Sequence, residues 1–380
     1  MQQKLTICIP SYGKKIKNQY ILARLLNSFL KLPSDKFRVI IFNTNDPLND
    51  KVTEGYNKLI QKFKAYYEIM QVTVLDIQFL CDFLLNKEFN GIAQRLTFKG
   101  YANFRNIMLI IANILRSKVI LMIDDDEVVT NKKFIDRTLE FVGEKYRKKI
   151  LYGKTGYYIY KGTDYKLIQR SPIKRRLWLK ETYINEALEK IIKSKKRLNQ
   201  TTMAFGGIMV LHKNIYTKIP FDPNCLRGED TDYMINAKQF GFEFLLDNKL
   251  KIEHLPAKKP LEYWDKLRQD IYRFIYTREK LRYFNKIGIR QLEPYPALFL
   301  KDDLEYRAVV TSVNYAKRSL KKKDYIFYKE SFKNAELVFK DAKVHAVVNA
   351  PRYFEFQKLW QEMMRAIPHL QGLRKHFNRF

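Results

Sequence analysis

Short apolar runs alternate with longer amphipathic ones through the first 255 residues, the pattern of a layered α/β domain. Leu5 to Ile9 reads as a strand that ends at Pro10-Ser-Tyr-Gly13. Ile21, Leu22, Leu25, Leu26 and Phe29 then recur at helical spacing as far as Pro33. Phe37 to Phe42 predicts a second strand with the polar tip Asn43 to Asp46, Thr53 to Met70 a helix, and Val72 to Ile77 a third strand. An amphipathic helix from about Asn103 to Leu115 feeds the strand Val119 to Ile123. Phe134 to Val142 reads as helical, and Lys161 to Arg197 as a loop over a site that carries a Lys-rich helix. Ala204 to Leu211 is a strand headed by Gly206 and Gly207, and residues 229–240 form a helix stopped by Gly241. Phe242 to Leu246 and Lys249 to His254 complete the strands.

Beyond Pro260 the strand signals cease. Leu261 to Lys286, Asp302 to Lys322, Tyr325 to Ala342 and Arg352 to Ala366 are basic, aromatic-rich and helical in pattern. The expectation is an α/β domain over 1–256, with a nucleotide half at about 1–130 and an acceptor half at about 131–256. A helical region over 257–380 follows, with the boundary at 256–260.

Composition adjusts this picture in three ways. A chain of 380 residues with 46% hydrophobic content is globular. No uncharged apolar stretch of about 18 residues exists, because Arg116 and Lys118 interrupt the nearest candidate, Ile107 to Ile123. The start of the chain lacks a signal-peptide layout, and the three scattered cysteines give neither a disulfide framework nor metal spacing, which suits a reducing cytosol. The net charge of +31 draws the chain toward polyanions such as anionic membrane or phosphorylated substrates. A solvated lysine-rich surface explains the same number.

The chemistry concentrates at Asp124-Asp125-Asp126-Glu127, directly behind a buried strand. Residues two apart point the same way, so Asp124 and Asp126 form the natural pair and Asp125 points elsewhere. Hard oxygen ligands at a strand end favour Mg²⁺ or Mn²⁺ with phosphate co-ligands; a solvated acidic turn is the bland alternative. A second acidic cluster, Glu229-Asp230-Thr-Asp232, follows Gly228 at a helix N-terminus, where a carboxylate caps free amides or acts as a general base. His254 ends the last strand and is either structural or the completion of a metal site.

In this order the elements resemble the GT-A glycosyltransferases, particularly the family 2-like group. The strand running into Pro10 and Tyr12, the polar second-strand end at Asn45 and Asp46, and the pair Arg105-Asn106 match the nucleotide-sugar side. Asp124 and Asp126 match the DxD motif, Gly206 and Gly207 the acceptor-side strand, Glu229 and Asp230 the Glu-Asp motif, and His254 a terminal metal-binding histidine. The similarity covers about residues 4–256. It implies a mixed, mostly parallel sheet flanked by helices, with a C-terminal helical region outside the pattern. It also implies Mn²⁺ or Mg²⁺ held against the diphosphate of a sugar nucleotide. Asp125 and Arg105 would stand on the nucleotide-sugar side, Glu229 on the acceptor side. Asp230 would deprotonate an acceptor hydroxyl on a carbohydrate or lipid-linked molecule, with inversion. A retaining relative would use the same metal site without that base.

Two other classes compete. Asp124, Asp126 and Val128 also match the nucleophile motif of haloacid dehalogenase-type phosphatases, although that family places it near the start of the core. The basic clusters Lys174 to Arg176, Lys193 to Arg197 and Arg318 to Lys323 would suit nucleic acid or an anionic membrane. No nucleic-acid module is recognisable, which argues against nucleic acid as the partner.

Overall fold

The computed structural model describes residues 4–11, 16–44, 50–87, 89–160, 165–167, 178–255 and 262–380. The strands are β1 (Leu5–Ser11), β2 (Phe37–Asn43), β3 (Glu68–Val72), β4 (Val119–Met122), β5 (Glu127–Val128), β6 (Lys145–Tyr146), β7 (Lys149–Ile159), β8 (Leu198–Gln200), β9 (Met209–His212) and β10 (Glu243–His254). They run in the order β3-β2-β1-β4-β9-β7-β10-β5, with β6 beside β7 and β8 beside β10. The β3-β2-β1-β4 half is parallel. β9 is antiparallel to β4 and β7, and β10 runs parallel to β7. The sheet is therefore mixed and mostly parallel, as the sequence predicts.

Alternation along β1 builds both faces. Leu5, Ile7 and Ile9 join the cluster under the helices Ile16–Phe29 and Asp50–Lys64, whereas Cys8 joins the larger cluster on the other side. Such two-sided burial is what a central strand of a doubly wound sheet requires. Pro10 lies beyond Thr6–Cys8, the part of β1 paired with β4, so its missing N–H interrupts no bond to that strand.

Several elements differ from expectation. The strand read over 204–211 is a tight turn at Gly206–Ile208 followed by β9, and the helix read over 53–70 ends at Lys64, before β3. β3 stops at Val72, because Thr73 and Asp76 form a capping box that starts the helix Val74–Leu85. β7 has no counterpart in the sequence reading. Its alternation is masked by Lys154, whose buried ammonium donates to the carbonyls of Arg137 (2.6 Å) and Glu140 (2.8 Å) and pairs with Asp247 at 3.4 Å. The two pieces read at 242–246 and 249–254 are one strand, β10. The register shift against β7 between Leu246 and Lys251 is what divides its apolar pattern.

The helices Tyr263–Tyr283 and Leu304–Lys321 follow the expected pattern; Tyr325–Leu337 stops short of Ala342, Asp341–Ala366 begins well before Arg352, and Gln371–Phe377 has no counterpart in the sequence reading. The predicted boundary at 256–260 lies outside the described residues. These helices share the larger cluster with one face of the sheet. Polar contacts fix the docking: Trp360 Nε1 donates to the Tyr216 carbonyl at 3.0 Å, and Asn113 Nδ2 to the Met364 carbonyl at 2.7 Å. Among the described residues no helix is long and apolar enough to cross a membrane.

Candidate active site

The carboxyl ends of β1, β2 and β4 open on one edge, where parallel sheets bind ligands. Asp125 turns toward the first of these, accepting from the Ser11 hydroxyl at 3.3 Å. Ser11 also contacts the Tyr56 hydroxyl at 2.8 Å, and the Thr44 amide donates to the Ser11 carbonyl at 3.2 Å. Asp125 thus faces Ser11, but the run is a turn at Asp125–Asp126, not a continued strand, so the period-2 pairing of Asp124 with Asp126 does not hold. Pro10 is buried at the end of β1. Tyr12, Asn45 and Asp46 lie outside the described residues.

Asp124 and Asp126 diverge. Asp126 Oδ2 stands 3.4 Å from His254 Nε2, with the two side chains about a quarter and a fifth exposed. The contact follows from topology: His254 ends β10 and pairs with Glu127 of β5, and the Leu255 amide donates to the Asp126 carbonyl at 2.9 Å. The rings of Tyr158 and Tyr160 flank the imidazole at 4.7 Å and 5.7 Å. Asp124 Oδ1 instead lies 3.5 Å from Arg105 Nη2.

Glu127 is fully buried behind them. One of its oxygens accepts from the Asp124 amide at 3.1 Å, and the other has no partner. Burial, then the charges of Asp124 and Asp126, hold its carboxyl well above the usual range. This acid stood in the acidic run, but only the antiparallel return of β10 explains why it is enclosed.

Arg105 is turned inward, not toward solvent. It is 6% exposed and sits on the helix Tyr101–Ile114. Its Nε donates to Glu229 Oε1 at 3.1 Å and its Nη1 to the Gly206 carbonyl at 2.9 Å. One guanidinium therefore ties the acidic strand end to the Glu-Asp helix and to the Gly206–Gly207 turn. The turn needs glycine because of these contacts. A Cβ on Gly206 would lie 2.2 Å from Arg105 Nη2, and one on Gly207 would lie 1.9 Å from Glu127 Oε1. The Gly207 amide donates to the Tyr158 hydroxyl at 2.7 Å.

Asp230 is placed by the helix Glu229–Gln239, which begins after Gly228 in a left-handed conformation. Its Oδ2 accepts from the Gly206 amide at 3.1 Å and its Oδ1 from the Thr231 amide at 2.6 Å. Burial, then the neighbouring Glu229, pushes its carboxyl up to about 6. A group poised there is ionised at neutral pH yet basic enough to take a proton. Below it, Lys280 Nζ reaches Asp232 at 2.6 Å and Asp222 at 2.9 Å, all three side chains being buried. Tyr158 and Lys280 were not legible as site residues. The first lies on the unrecognised β7, the second on a helix outside the family pattern.

Among the described residues no three His, Cys, Asp or Glu side chains gather within reach of one ion. The pair Asp126 and His254 alone suits a hard cation, one whose remaining ligands come from phosphate and water.

No family model and no curated protein matches the sequence. Among solved structures, the fold is similar to the mannosyltransferase PcManGT from Pyrobaculum calidifontis in complex with GDP-Man and Mn²⁺. The TM-score is 0.52 at 10% identity, over 100% of this chain and 87% of that one. A mycobacterial protein follows with a TM-score of 0.40 at 11% identity, over 73% of this chain and 74% of that one. Mouse xyloside xylosyltransferase 1 in its apo form gives 0.29 at 11% identity, over 66% and 79%. The last two are too distant to carry an argument. The chain has a GT-A-like fold.

Proposed function

We propose that the protein is a glycosyltransferase that moves a sugar from a nucleotide-diphosphate sugar to an acceptor hydroxyl, with inversion. The observation that carries this reading is the link, through Arg105 and Gly206, between the acidic strand end that holds the Asp126–His254 pair and the Asp230 carboxylate, on a GT-A-like fold. The ends of β1 and β2, with Asp125, would receive the nucleotide, aided by Asn45 and Asp46. Asp126 and His254, with Asp124, would hold Mn²⁺ or Mg²⁺, which when bound supplies Lewis-acid neutralisation of the diphosphate. The GDP-Man and Mn²⁺ of the structural neighbour make that donor and that ion the first to try.

In the transfer, the acceptor oxygen bonds to the anomeric carbon as the bond from that carbon to the diphosphate breaks. The acceptor proton goes to Asp230, and the nucleoside diphosphate leaves with the bonding electrons. The Gly206 and Thr231 amides hold the Asp230 carboxylate in place for this step. Arg105 would act as a positioning residue, fixing Gly206, Glu229 and Asp124 relative to one another. The basic helices after residue 262 suit an anionic membrane surface beside a lipid-linked acceptor.

The test is thermal stabilisation by a panel of sugar nucleotides with Mn²⁺. Stabilisation by at least one is expected. Stabilisation by none, with release of phosphate from a generic phosphomonoester, would favour the phosphatase class.

A further inference from the structure

Arg273, on the helix Tyr263–Tyr283, is 8% exposed, yet among the described residues no carboxylate lies within ion-pair distance of it and it makes no hydrogen bond. Its guanidinium carbon lies 5.3 Å and 5.8 Å from the ring centres of Phe274 and Tyr295. It also presses on the backbone before the base: a Cβ on Gly228, where φ is +70°, would stand 2.2 Å from it. Asp230 and Asp270 favour its charge at longer range, but its N–H donors are unused among the described residues and are not sealed from solvent. Unused guanidinium donors beside the candidate base mark a place where an anion arrives with the ligand.

The surrounding charges leave that place open. Lys180 takes both oxygens of Asp270, at 2.6 Å and 2.8 Å. Asp230 is held by the Gly206 and Thr231 amides. Arg227, next to Gly228, donates to Gln269 Oε1 at 3.2 Å and, among the described residues, has no carboxylate within ion-pair distance. Among the described residues the donors of Arg273 are thus claimed by no carboxylate. The carboxylates acting most on Arg273 are Asp230 and Asp270, not the acidic strand end, so it belongs to the base end of the site.

We propose that Arg273 and Arg227 form a subsite for an acidic group, a carboxylate or a phosphate, carried by the acceptor beside its reacting hydroxyl. This rests on the glycosyltransferase reading, in which Asp230 faces the acceptor. The planar guanidinium matches either anion with two parallel bonds.

Calorimetric titration of the full chain tests both levels in sequence. The first stage adds GDP or UDP with Mn²⁺; no binding of either overturns the glycosyltransferase reading and the subsite with it. The second stage adds glucose, glucuronate or glucose 6-phosphate to the nucleotide-loaded protein. The subsite requires glucuronate or glucose 6-phosphate to bind at least tenfold more tightly than glucose. Which of the two does so identifies the anion. Arg273→Gln, and separately the less buried Arg227→Gln, should collapse that ratio toward one. Equal binding of all three by the unaltered protein overturns the subsite alone, whether or not either variant folds. So does a preference that survives in both variants, or an acid that binds only when the nucleotide is absent, which would assign Arg273 to the diphosphate.

Discussion

Asp230 and Gly206 are joined across the site, the Gly206 amide donating to Asp230 Oδ2 at 3.1 Å. The same glycine gives its carbonyl to Arg105. The position of the candidate base is therefore set by a turn that the buried arginine also holds. Loss of the base chemistry and loss of its positioning should separate by experiment.

Asp230→Asn preserves size and removes the proton acceptor. Transfer should fall by about 10²–10⁴-fold, with the nucleotide-sugar dissociation constant changing little. Single-turnover assays beside direct binding measurements check this.

The pH profile follows from the Asp230 carboxyl being raised from 3.8 to about 6. The base is active when ionised, so kcat/KM should be flat above about pH 6 and fall tenfold per pH unit below it. In Asp230→Asn the residual rate should lose that limb. A wild-type rate that stays level to pH 4.5 would exclude Asp230 as the titrating base.

Arg105→Met leaves Glu229 and Asp124 without their shared cation. Removing one partner of a buried pair costs about 3–5 kcal/mol, and denaturant unfolding should register a loss of that order. Lys280→Met should behave similarly, since it strands Asp222 and Asp232 in the interior. The two variants differ in function: Arg105→Met disturbs the site directly, whereas Lys280→Met acts on the far side of the Glu-Asp helix.

Chelation or loss of the metal pair forms the fourth test. Asp126→Ala and His254→Ala should each weaken the Mn²⁺-dependent part of nucleoside diphosphate binding by about tenfold or more. Binding measured in EDTA should be equally weak in wild type and variants. A wild-type affinity indifferent to EDTA would remove Asp126 and His254 from the metal role.

Much of this site was legible because its parts stand at strand ends. The run Val119 to Ile123 is short, β-branched and followed at once by acids. The period-2 rule places Asp124 and Asp126 together, but the chain turns at Asp125–Asp126 and sends all three side chains to different partners. What spacing alone does not supply is the partner across the sheet. Asp126 meets His254 only because β10 returns antiparallel to β5, and Asp124 meets Arg105 only because the helix Tyr101–Ile114 packs under β4. β7 is not legible because a buried lysine occupies one of its inward positions. Arg273 and Lys280 are not legible as neighbours of the site because the C-terminal helices read as a separate basic region, while in the structure they share one core with the sheet.

The most direct measurement of the central claim is Mn²⁺-dependent binding of nucleotide-diphosphate sugars to wild type and Asp126→Ala, read by calorimetry. The expected result is one-site binding of at least one donor to the wild type, weakened tenfold or more by Asp126→Ala and unaffected by Asp230→Asn. Binding of none of them, with or without Mn²⁺, would contradict the assignment of this sheet edge to a sugar-nucleotide transferase.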